Sequence, residues 1–202
     1  GNTPVPICEA MVRACQAGEV SFNEATIFAL DEYGELTPDD AGCCANMIRR
    51  CLLDHVDLPA DNFHELATEA ENLDQVCADY DAAIGEGFDL AILGIGLNGH
   101  LGMNEPGTSA NAMTHRVELH STSIQSAAGY LDGREPPRWG ITVGMKHLLA
   151  TKEVWLLATG KAKAEIVQKV AQGEPTADVQ ASLLTNHPEC TLFMDEEASA
   201  ML

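Results

Sequence analysis

The chain has 202 residues and a mass of 21.6 kDa, enough to bury a sizeable core as one domain, while two full domains would be tight. Hydrophobic residues make up 46% and charged ones 21%, and no apolar run approaches the ~20 residues of a bilayer crossing, which excludes a disordered chain and a membrane span. Eleven Lys+Arg stand against 31 Asp+Glu, a formal charge of -20, so phosphate backbones meet repulsion over most of the surface and nucleic acid is argued against as a partner. A small anionic substrate stays compatible with this balance if a few basic residues are gathered in one cleft.

Gly1-Asn2-Thr3-Pro4 reads as a turn into a helix over residues 5–17, with Thr3 as N-cap and Pro4 in the first turn. No strand precedes that helix, so an upstream strand is expected to be missing from this chain. A strand is then predicted at 25–30, helices at 39–53 and 73–84, and a strand at 89–94. A helix at 122–131, a strand at 153–159, a helix at 161–172 and a strand at 191–194 complete the series. Short apolar runs alternating with amphipathic ones predict an α/β fold, one domain over residues 1–202 with a mostly parallel sheet. Seven cysteines, an odd set without a C-x-x-C pair, argue against a disulfide framework or structural zinc and for a reducing cytoplasm. The adjacent Cys43 and Cys44 read as small, partly buried side chains of a helix.

Three strand ends carry the chemistry. The run 89–94 empties into Gly94-Ile-Gly-Leu-Asn-Gly-His-Leu-Gly-Met-Asn-Glu-Pro-Gly107, and ligands in open α/β sheets bind where strands end in this way. Gly94, Gly96 and Gly99, with Glu118 further on, match a dinucleotide fingerprint only as a bare pattern, because Gly102, Pro106 and Gly107 interrupt the helix it must open. His100 and Glu105 lie close on this flexible loop, a pair suited to moving protons. A second strand stops at Asp31-Glu32-Tyr33; either acid could serve as a carbon-acid base, the other being a structural group or a helix N-cap. A third passes through Thr159-Gly160 into a helix opening with Lys161 and Lys163, a placement that opposes the dipole unless an anion sits there. Gly1-Asn2-Thr3 is a second candidate anion nest.

These segments, with Gly140-Ile-Thr-Val-Gly144 and Ala158-Thr-Gly-Lys-Ala-Lys163, resemble the glucosamine-6-phosphate deaminase (isomerase) family over nearly the whole chain and in the same order. The resemblance implies a doubly wound, Rossmann-like sheet with helices on both faces, preceded by a strand and helix that this chain lacks, and no nicotinamide. It implies that Asp31 is the base moving a proton from C2 to C1 of the open sugar, and that His100 opens the ring with Glu105 as partner. Gly1, Asn2, Thr3 and Lys163 are implied to hold the 6-phosphate. Two departures stand out: Asn98 where the family usually has Asp, and Gly129 where it places an arginine, for which Arg134 or Arg138 could substitute. Both look more like the galactosamine-6-phosphate branch.

The implied function is therefore isomerisation with deamination of a hexosamine 6-phosphate, galactosamine slightly ahead of glucosamine, without metal or cofactor. The implied partner is a small sugar phosphate, and a homo-oligomer is left open. Lactone hydrolysis, as in the related 6-phosphogluconolactonases, is the alternative, followed by a sugar-phosphate sensor without turnover.

Overall fold

The computed structural model describes residues 3–37, 40, 42–131 and 133–202. In chain order the elements are α1 (Val5–Gln16), β1 (Ile27–Phe28), β2 (Asp31–Tyr33), α2 (Cys44–Cys51), β3 (Phe63–His64), α3 (Leu73–Ile84) and β4 (Leu90–Gly94). They continue with β5 (His115–Glu118), α4 (Ser121–Ala127), β6 (Trp139–Thr142), α5 (Met145–Leu149), β7 (Glu153–Ala158), α6 (Ala164–Gln172) and β8 (Cys190–Met194), joined in places by short 3-10 turns.

The period of two along β7 sorts its side chains between the faces of a parallel sheet ordered β4–β7–β8. Val154, Leu156 and Ala158 enter the main core, where Tyr80 and Ile84 of α3 and Ile166, Val167 and Val170 of α6 cover them. Trp155 and Leu157 instead line an apolar groove of about 730 Å³ with Ile7, Ala10 and Met11 of α1. Helices thus lie on both faces of the sheet, and β1 adds a parallel pairing with β3. The doubly wound, mostly parallel architecture expected from the sequence is present.

A second sheet, antiparallel and ordered β2–β6–β5, was not anticipated. The strand expected over 25–30 shrinks to β1 because the chain changes partners there. Ala29 N–H still donates to the His64 carbonyl at 2.9 Å, but the next carbonyl, Leu30, accepts from Val143 N–H at 2.8 Å, and the chain enters β2. Asp31 then stands opposite Thr142 in the β2–β6 register.

Two helix starts also differ from expectation. Pro4, not Thr3, occupies the N-cap of α1, and no side chain caps it. The helix expected from position 39, which lies outside the described residues, begins at Cys44 and is capped from a distance. Glu32, 6% exposed, accepts from Cys44 N–H at 2.9 Å and Ala45 N–H at 3.0 Å, and its carboxylate also takes Tyr33 N–H at 2.9 Å and the Cys43 thiol at 3.2 Å. A carboxylate receiving the first N–H groups of a helix satisfies donors that have no intrahelical partner and sits at the positive end of the dipole. Of the two acids left open by the sequence, Glu32 is thereby the structural, helix-capping one.

Glu32→Ala is expected to cost about 3 kcal/mol, combining a lost cap with buried donors left unpaired. In urea unfolding this should appear as a lower midpoint, with Glu32→Gln, which keeps one acceptor oxygen, losing less.

Candidate active site

The loop 94–107 leaves the end of β4 and folds back on itself, Gly96 N–H donating to the His100 carbonyl at 3.0 Å. A β-carbon at Gly96 would lie 2.3–2.5 Å from three atoms of the His100 ring, so only glycine lets the imidazole pack there. Gly102 is required twice over, by its φ of 58° and by crowding: a β-carbon would meet Thr142 Oγ1 at 2.9 Å and Asp31 Oδ2 at 3.4 Å. The Asp31 carboxylate therefore lies against the loop that carries His100, although 69 residues separate the two in sequence. Thr142 joins the two parts, being opposite Asp31 in the sheet and accepting the loop's Met103 N–H on its hydroxyl at 3.0 Å.

His100 and Glu105 meet as anticipated. Glu105 Oε2 lies 3.7 Å from His100 Nδ1, and the Ser123 hydroxyl lies 3.2 Å from the same nitrogen. Asn98 bridges them, its amide N–H donating to Glu105 Oε2 at 2.8 Å and its carbonyl accepting from His100 N–H at 3.2 Å. Its hydrogen bonds therefore hold the Glu105 carboxylate and the His100 backbone. The other Glu105 oxygen accepts His120 N–H at 3.0 Å.

Lys163 reaches the same place, its ammonium donating to the Ile95 carbonyl at the end of β4 at 2.5 Å. Burial holds the Lys163 amine below the usual lysine value. Burial also holds His100 below its ordinary value, with the charges of Lys163 and His120 pushing the same way and Glu105 opposing. Asp31 is pushed up, chiefly by burial and further by the neighbouring Glu32 charge, against a hydrogen bond from the Cys44 thiol. The result is an acid inclined to hold its proton, an imidazole inclined to lose its own, and a cation, gathered at strand ends of two sheets.

The remaining sequence candidates fall elsewhere. Gly1 and Asn2 lie outside the described residues. Thr3 lines the apolar groove beside α1, where Thr159 at the end of β7 also sits. Arg138 is not brought to the cluster: its exposed guanidinium pairs with Glu135 at 3.3 Å. Arg134 is held by Asp40 and by the Glu35 carbonyl at 2.9 Å. The backbone nest expected before α6 is filled internally, Gly160 N–H donating to Asp195 at 2.9 Å and Lys161 N–H to Glu197 at 3.2 Å. Of that segment, the Lys163 ammonium is what reaches the cluster. Ser123 stands out by no sequence signal, being a single hydroxyl in a short polar run, and Thr142, although inside the quoted Gly140–Gly144 segment, has no role legible there because its pairing with Asp31 is made across the sheet. Among the described residues no group of three or more His, Cys, Asp or Glu is placed to hold a metal ion, and no helix is long and apolar enough to cross a membrane.

Residues 1–193 match the family described as glucosamine-6-phosphate isomerases/6-phosphogluconolactonase. A glucosamine-6-phosphate deaminase of Bacillus pumilus is 38% identical over 204 residues, covering 100% of this chain and 85% of that protein. Glucosamine-6-phosphate deaminase 2 of Bacillus subtilis is 36% identical over 208 residues, covering 100% and 83%. The solved structure of a monomeric glucosamine-6-phosphate deaminase superposes with a TM-score of 0.96 at 33% identity, over 100% of this chain and 85% of that one. A 6-phosphogluconolactonase of Thermotoga maritima, at a TM-score of 0.73 and 20% identity over 96% and 81%, shares the fold. The chain belongs to the glucosamine-6-phosphate isomerase/6-phosphogluconolactonase family and is an enzyme of it.

Proposed function

We propose that this enzyme isomerises and deaminates a hexosamine 6-phosphate, giving a ketose 6-phosphate and ammonia. The observation that carries the reading is the approach of the Asp31 carboxylate to the loop holding the His100–Glu105 pair, with the Lys163 ammonium at the base of that loop. Aldose-to-ketose conversion needs one base that can leave C2 with a proton and reach C1, and a buried carboxylate with a raised pKa is a suitable carrier. His100 opens the sugar ring, since an imidazole that is largely neutral near pH 7 can take one proton and return another. Its Nδ1 faces Glu105 and Ser123, so Nε2 is the nitrogen assigned to the sugar. Lys163 takes the 6-phosphate. No step calls for a redox cofactor, because carbons 1 and 2 exchange oxidation level within one molecule; water then displaces ammonia from C2.

Asn98 and the glycine at position 129 support galactosamine 6-phosphate slightly ahead of glucosamine 6-phosphate as substrate, with tagatose 6-phosphate as product. Seven free thiols support a reducing cytoplasm as its location. The test is ammonia release from both epimers beside hydrolysis of 6-phosphogluconolactone by the same preparation. Ammonia from either amino sugar with no lactone hydrolysis supports the reading, the faster epimer fixes the substrate, and lactone hydrolysis alone overturns it.

A further inference from the structure

The Glu105 end of the loop is gripped from outside the cluster by the segment before β8. Gln180 is fully buried, and its amide nitrogen lies 2.8 Å from the Thr108 carbonyl, 2.9 Å from that of Ala177 and 3.3 Å from that of Glu105 itself. Gly107 N–H donates to the Ala177 carbonyl at 2.8 Å, and Ala181 N–H to the Gly99 carbonyl at 2.9 Å, so the segment docks on the loop at its end and at its middle. The orientation of the amide is fixed, because turning it round would aim its oxygen at three carbonyls. That oxygen is buried without a partner among the described residues. Methionine would fill the same volume with no such orphan, so the amide is explained by what its N–H groups hold.

We propose that Gln180 is a positioning residue for the His100–Glu105 pair, acting by clamping the turn from Glu105 to Thr108 so that the Glu105 carboxylate stays against the imidazole. This rests on the assignment of that pair to proton transfer. The side chain of Glu105 meets Asn98 and His120 N–H on one side while its own carbonyl takes the Thr108 hydroxyl at 2.8 Å and Gln180 on the other. Releasing the turn lets the carboxylate withdraw. The charged groups acting on His100 are Glu105, which favours its protonated form, and Lys163 and His120, which oppose it. Losing Glu105 from this balance lowers the proton affinity of the ring.

The experiment is an NMR titration of the His100 imidazole, identified by its absence in His100→Gln, in the wild type, Gln180→Met and Thr108→Val. The midpoint is expected to fall by about half a pH unit in Gln180→Met and by less in Thr108→Val. Ammonia assays should show kcat reduced about 10-fold with KM within about twofold, since Lys163 is untouched. An unchanged His100 titration in whichever of the variants folds overturns the proposal, as does a fall in kcat with no change in titration. If the wild type releases no ammonia, the functional reading fails, and the titration still decides whether Gln180 holds Glu105 against His100.

Discussion

Asp31→Asn is expected to reduce ammonia release about 1,000-fold, inside the range that general acid–base groups supply, while making the protein more stable. The two effects have one cause. Burial raises the carboxyl pKa because the ionised form is poorly solvated beside Gly102 and Thr142, and the nearby Glu32 charge adds to the penalty. With a folded-state pKa above the unfolded one, the contribution of Asp31 to stability is fully present below the ordinary carboxylate range and is lost as pH rises through the raised value. At neutral pH, above the unfolded-state pKa, the wild type therefore carries the cost of a site that disfavours the carboxylate, which asparagine, neutral throughout, does not. The gain should be about 1 kcal/mol, or roughly 2–4 °C in melting temperature for a chain of this size. It should disappear when melting is repeated at pH 3, where both proteins are neutral at this position. The same shift sets the activity profile of the wild type: kcat/KM falls on the acid side above the pH at which a free aspartate would cause it. A variant that kept most of its ammonia release, or a stability gain independent of pH, would remove Asp31 as the proton carrier.

The elements that were legible were those whose ends and faces are written locally. The helix over 73–84 is legible from its apolar three- and four-residue spacing, and the structure gives it the same bounds, Asn72 capping it through its side chain and Gly85, at φ 69°, ending it. The strands of the parallel sheet are legible because they are short, near-continuous apolar runs bounded by polar and glycine residues, even though part of one face lines the open groove. The antiparallel sheet was not: β2, β5 and β6 hold three or four residues each, and β2 pairs Asp31 with Thr142, so its reason for being a strand lies 111 positions away.

The site divides in the same way. His100, Glu105 and Lys163 stood out because polar groups follow strands, whereas Ser123, Thr142 and Gln180 matter through contacts between distant segments. The two misplaced expectations, Arg138 and the nest at Gly160, share an origin. Sequence displays a charge or a free N–H group but not the partner already occupying it, here Glu135 for the arginine and Asp195 for the nest.

With Arg138 paired elsewhere, the proposed function rests phosphate recognition on Lys163, and on that proposal Lys163→Met is expected to raise KM for the sugar phosphate about 10- to 100-fold while kcat changes by less. That factor corresponds to losing one charge-assisted hydrogen bond, about 1.5–3 kcal/mol. Because methionine fills much of the volume of the lysine stem, the change isolates the ammonium from its packing. Competition by inorganic phosphate should weaken in parallel. pH provides a second, independent signature. Burial lowers the Lys163 pKa, so the cation that binds phosphate is lost as pH rises through a value below the ordinary lysine range, and KM of the wild type should climb there. In the variant that alkaline rise should be absent. Removing the cation also withdraws one of the charges that hold His100 neutral, so the imidazole should titrate higher than in the wild type. An unchanged KM together with an unchanged His100 titration would mean that the ammonium serves only the Ile95 carbonyl, and that the phosphate must be gripped by some other part of the molecule.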